Sequence, residues 1–151
     1  MNKLFWCVAG IVVAIDRLTK WIIVSNMEIL ESIPVIPGLF HITHIQNPGA
    51  AFGLFRDARA LFLMISLVVI LAVIWYSHRV ERDQKLLSIG LGLTLAGAFG
   101  NMIDRLTRGL VVDFLDFRIW PVFNVADSAI VVGSAIVVYF LLKMPVEPRG
   151  R

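Results

Sequence analysis

Asp113 and Asp127 are the residues of this chain best suited to carry out a reaction. Two carboxylates brought close together share one proton. One can then draw a proton from water while the other, still protonated, polarises a carbonyl. Such groups titrate as a coupled pair, and the chemistry they suit is amide hydrolysis with neither a covalent intermediate nor a metal. Asp113 follows an apolar helical stretch and Asp127 opens the next one, so the two can converge although fourteen positions apart.

Further polar residues gather where the apolar stretches meet one side of a membrane. Asp16 and Lys20 are spaced i, i+4 and share a helix face. They either neutralise each other within lipid or support a site. Arg17 is offset from that face and can snorkel outward. Gly97, Gly100, Asn101, Asp104 and Arg105 follow i, i+3, i+4, i+7, i+8, a single helical stripe. Its glycines allow close helix contact, and its polar members could line a site or act as glue between helices. Asn124 and Asp127 have a plain alternative role, the cap and first turn of a helix. Asn47-Pro48-Gly49 is a turn signal. The small, then aromatic run Ala50-Ala51-Phe52 would let backbone come close to a ligand.

Other chemistries fit less well. His41 and His44 are three apart, hence on opposite faces of a strand, and no thiol or carboxylate pattern completes a metal site. They read as surface histidines. Cys7 is the only cysteine, so no internal disulfide can form, and it reads as a small packing residue. No serine sits in a nucleophile elbow. Neither a cofactor nor a metal is expected.

The elements that position these residues are membrane helices. Hydrophobic residues make up 58% of the 151, and charged residues only 17%, against about a quarter charged in soluble domains. The net charge of +3 does not suggest nucleic-acid binding, because Lys and Arg do not cluster with stacking aromatics. Spans are expected at about 4–25, 60–77, 86–106 and 124–143. Each is close to the length of about 20 residues that a crossing requires. The N-terminal run lacks a small-x-small cleavage site and reads as a retained first span. Together they form one membrane-embedded domain over 1–151, mainly α. Seven Lys and Arg fall on the inner side of an N-in, C-in topology and five on the outer side.

With that topology the polar residues lie at the outer side, in connections 26–59 and 107–123. Ile33 to Ile45, turning at Pro37-Gly38, reads as a hairpin at the bilayer surface. Val111 to Phe117 reads as a strand or a short surface helix, with Asp113 and Asp116 on opposite faces of the strand form.

Taken in order, Asp16 with Thr19-Lys20, Asn47-Pro48-Gly49-Ala50-Ala51-Phe52, Gly100-Asn101 with Asp104-Arg105, Val112-Asp113-Phe114, and Phe123-Asn124 with Ala126-Asp127 span almost the whole chain. This ordered set closely resembles lipoprotein signal peptidase, also called signal peptidase II, a bacterial inner-membrane aspartyl endopeptidase family. The resemblance implies four membrane helices with a small extracytoplasmic sheet that cradles the substrate. It implies Asp113 and Asp127 as catalytic dyad, with Asp16, Lys20, Asn47, Gly97, Asn101, Asp104, Arg105 and Asn124 lining or supporting the site. It also implies a diacylglyceryl-modified prolipoprotein as substrate, cut just before its lipidated cysteine, and globomycin as inhibitor. A monomer in contact with membrane lipid is expected, its site at the periplasmic face. The rival readings are a proton- or ion-coupled carrier, which the lack of an inverted repeat disfavours, and a non-enzymatic assembly factor.

Overall fold

The computed structural model describes residues 3–49, 59–81 and 83–143. In chain order the elements are α1 (Lys3–Asn26), β1 (Ser32–Ile36), β2 (Phe40–Asn47), α2 (Arg59–Ser77), α3 (Lys85–Arg108), β3 (Val111–Asp116) and α4 (Val125–Lys143). The Ala50-Ala51-Phe52 run lies outside the described residues.

The helix α3 is the hub, with α1, α2 and α4 packed around it. Its sequence explains why. Gly90, Gly92, Gly97 and Gly100 leave room for neighbouring backbones and side chains. A Cβ on Gly97 would overlap the Ala126 carbonyl, and one on Gly133 of α4 would come within 2.6 Å of the Gly90 carbonyl. Around Leu87, Leu91 and Leu95 of α3 lie Phe5 and Ala9 of α1 with Ile70 and Val73 of α2.

Helices α2 and α4 turn apolar residues outward. Val68 and Leu71 of α2 and Val131 and Leu142 of α4 point away from the bundle, as expected of helices whose solvent is lipid. The helices α2, α3 and α4 are each long and apolar enough to cross a membrane. Helix α1 has the length, but Asp16, Arg17 and Lys20 interrupt its apolar run.

The strands form one antiparallel sheet in the order β1-β2-β3. The hairpin turns at Gly38, whose positive φ suits glycine. Pro34 lies in β1, an edge strand, where a missing N–H is tolerated. The segment after α3 is thus a strand and not a surface helix. Gly109, in the left-handed region, caps α3 by donating its N–H to the Arg105 carbonyl, so the chain turns at once into β3. Asp113 therefore stands close beyond the end of the hub helix.

Three expectations need correction. Cys7 is exposed on α1 rather than packed inside; its neighbour Phe5 fills the interior in its place. His44 is buried, because the β2–β3 register shifts between Ile42 and Ile45. Its backbone carries the β1–β2 pairing on to Glu31 and Leu30, and its Nδ1 lies 3.0 Å from the Met27 carbonyl. Arg17 does not snorkel; it reaches across to α3, as described next.

Candidate active site

The cap of α4 sets the geometry. Asn124 precedes the first helical residue, and its Oδ1 accepts the Asp127 N–H at 2.9 Å. The Asp127 Oδ2 accepts the Asn124 backbone N–H at 3.2 Å in return, which makes the cap reciprocal. Capping also leaves the Asn124 amide nitrogen free to face β3, where it donates to Asp113 Oδ1 at 2.6 Å. One residue, in capping α4, therefore also binds both carboxylates.

Each carboxylate has a second donor. Asn47, at the end of β2, donates from Nδ2 to Asp113 Oδ2 at 2.9 Å, and its own Oδ1 accepts the Gly49 N–H at 3.0 Å. Asn101 of α3 donates from Nδ2 to Asp127 Oδ1 at 2.7 Å. Burial pushes the Asp113 carboxyl up from 3.8 to about 6. The Asn47 hydrogen bond opposes that rise, and the Asp127 charge adds to it. Asp113 thus holds a proton into the range where an ordinary carboxyl has lost it.

Behind the pair lies a buried ion cluster. Lys20 meets Asp16 Oδ1 at 3.1 Å and Asp104 Oδ2 at 2.8 Å, and it donates to Asn101 Oδ1 at 3.0 Å. Arg17 binds Asp104 Oδ1 at 2.6 Å. Asp16 Oδ1 also accepts the Ala126 N–H at 3.1 Å, which ties α1 to the first turn of α4. Two cations and two anions sum to zero. This neutrality matters, because an unpaired charge at mid-bilayer costs roughly 2.5–3.5 kcal/mol.

The stripe on α3 divides its work. Gly97 lies against Ala126 and Ile130, and Gly100 against Asp16 and Ala126. Asn101 turns to Asp127 and Asp104 to the cluster. The Arg105 guanidinium lies 4.9 Å from the centroid of the Phe62 ring. It borders a cavity of about 240 Å³ between α2, α3 and α4 that reaches Asn101 and Asp127. Asp127 also borders an apolar groove of about 550 Å³ beside Phe123, Trp120 and Val131. Among the described residues, those lining a groove of about 310 Å³ near Trp6, Gly10 and Phe99 include no group able to move a proton.

All ten residues singled out from the sequence fall in this one region. The sequence reading missed the role of Arg17, although its spacing from Lys20 (i, i+3) puts both side chains within reach of one partner on α3. It also missed the Ala126 N–H and the Val112 carbonyl, which accepts from Asn124 Nδ2 at 3.3 Å. Backbone partners leave no trace in residue type.

A family model described as signal peptidase (SPase) II matches residues 8–143. The chain belongs to the signal peptidase II family. The lipoprotein signal peptidase of Moorella thermoacetica is 46% identical over 147 residues, covering 97% of each chain. That of Bacillus subtilis is 43% identical over 134 residues, covering 86% of this chain and 87% of the relative. A solved structure, described as a bacterial membrane enzyme determined by the in meso method, superposes with a TM-score of 0.84. It is 34% identical and covers 95% of this chain and 93% of its own. The molecule is an aspartic peptidase that removes signal peptides from lipoproteins. The peptidase is mainly helical, with a small three-stranded sheet.

Proposed function

We propose that Asp113 and Asp127 are the catalytic pair of this peptidase. The observation that carries the reading is the double contact of Asn124, amide to Asp113 and backbone to Asp127. Asp113, with its raised proton affinity, is the acid that polarises the scissile carbonyl. Asp127 sits at a helix N-terminus, whose dipole favours the anion, and serves as base toward water. Proton transfer from water to Asp127 accompanies hydroxide attack on the carbonyl, and the Asp113 proton passes to the oxygen. Collapse returns a proton to the leaving amine.

The substrate is a prolipoprotein whose cysteine already carries diacylglycerol, cut just before that cysteine. The cavity between α2, α3 and α4 admits the peptide, with Arg105 at its wall, while the acyl chains remain in lipid beside the bundle. Chain 1–151 acts as one membrane-embedded domain and as a monomer. Helix α1 is a fourth span, its cluster neutral, and both termini are cytoplasmic. The sheet and the catalytic pair then lie at the periplasmic face of the inner membrane.

The test is cleavage of a diacylglyceryl-modified precursor, read as a gel shift with and without globomycin. Asp113→Asn and Asp127→Asn each abolish cleavage while the protein still inserts. Substantial activity in either purified variant defeats the assignment.

A further inference from the structure

We infer that Lys20 is a positioning residue for hydrolysis: its ammonium fixes which way round the Asn101 amide sits, and so aims an N–H at Asp127. The inference rests on the catalytic pair proposed above and deepens it. Lys20 is 1% exposed and places its three N–H groups on Asp16 Oδ1, Asp104 Oδ2 and Asn101 Oδ1. An ammonium can only donate. The Asn101 atom that faces it must therefore be oxygen, which leaves Nδ2 to donate to Asp127 at 2.7 Å. A half-turn of that amide would set N–H against ammonium and a lone pair against carboxylate.

The other two amides at the pair are fixed by local backbone, Asn47 by the Gly49 N–H and Asn124 by the Asp127 N–H. Among the described residues, the hydrogen bonds to the Asn101 oxygen come from side chains, Lys20 at 3.0 Å and Asn124 at 3.2 Å. Asn124 Nδ2 has two hydrogens for three acceptors, and its shortest bond goes to Asp113. The lock on Asn101 is therefore Lys20, carried across from α1.

Several charged groups surround Asp127. Arg105 of α3 and Asp113 of β3 face it, with the neutral Asn124 bonded to both carboxylates. Asp104 of α3 and Asp16, Arg17 and Lys20 of α1 stand behind Asn101. The described α2 residues at the cavity, Phe62, Ile65, Ser66 and Val69, carry no titratable group.

The experiment measures kcat against pH for the purified full chain and a diacylglyceryl-modified precursor. The variant Lys20→Met/Asp104→Asn keeps the cluster neutral and removes the lock. Its acid limb, where activity rises as the base ionises, moves up by about one pH unit, because the carboxylate has lost a directed donor. The variant Arg17→Met/Asp104→Asn is equally neutral but keeps Lys20 on Asn101, and its acid limb stays at the wild-type position whatever its rate. Asn101→Leu moves the limb as Lys20→Met/Asp104→Asn does, and combining the two adds nothing. It also carries the test if the paired variant does not fold. An unmoved limb in Asn101→Leu or in a folded Lys20→Met/Asp104→Asn overturns the inference, as does an equal shift in Arg17→Met/Asp104→Asn. Those results leave the catalytic pair standing, whereas activity in Asp127→Asn removes the pair and the lock together.

Discussion

Asn124 does two jobs with one side chain. Its oxygen caps α4, and its amide nitrogen holds Asp113. Loss of the cap alone costs about 1 kcal/mol of stability. Loss of alignment between the carboxylates costs more in rate, so Asn124→Ala is expected to lower kcat by about 100-fold per folded molecule. A loss below about tenfold, measured on protein matched for folded fraction, would reduce Asn124 to a cap. Asp113 makes a separate prediction through linkage. Its native carboxyl binds a proton more tightly than the unfolded chain does, about 6 against 3.8. The contribution of this group to stability is therefore fully present below about pH 4 and is lost as pH rises toward about 6, where the native state must ionise a buried carboxyl. Asp113→Asn removes that slope. It should gain up to about 3 kcal/mol over wild type at pH 7, and the gain should vanish below about pH 4. Melting temperatures across that range provide the check, and a pH-independent difference would contradict it.

The helices α3 and α4 set the precision of the site because they approach closely at glycines. A Cβ at Gly97 meets Ala126, next to Asp127, whereas a Cβ at Gly133 meets Gly90 and Thr94 farther along α4. Both Gly97→Ala and Gly133→Ala should destabilise the bundle by about 1–3 kcal/mol through overpacking. Only Gly97→Ala should also lower activity per folded molecule. Equal activity losses in the two variants would show that spacing at the first turn of α4 does not control the pair. The same elements show what the sequence could reveal. Apolar length gave the helices, Pro37-Gly38 gave the hairpin, and alternation in Val111–Asp116 allowed β3 without excluding a helix. The stripe from Gly97 to Arg105 marked the face of α3 that meets Asp127 and the ion cluster. Spacing along one helix could not reveal partners on another. Arg17 on Asp104 and the buried His44 both depend on contacts between elements distant in sequence, and a register shift in a sheet has no single-residue signature.

For the whole molecule, the proposed orientation rests on the distribution of Lys and Arg. If both termini are cytoplasmic, a C-terminal green fluorescent protein fusion fluoresces and a C-terminal alkaline phosphatase fusion is inactive. A cysteine placed at Ile119, which is 90% exposed beyond β3, should react with an impermeant maleimide from the periplasmic side of spheroplasts. Labelling only after the membrane is opened would invert the topology. The fold then has one organising purpose: α3 anchors the bundle, α1 delivers a neutral ion cluster, and β3 and α4 bring one carboxylate each to a common amide. The most direct test of that convergence is a cycle of turnover rates for wild type, Asp113→Asn, Asp127→Asn and the double variant on a diacylglyceryl-modified precursor. Residues that act as a unit are non-additive, so each single change should remove at least about 1,000-fold and the double change no more than either. Independent losses that multiply, or turnover surviving in one single variant, would mean the two aspartates do not share the reaction.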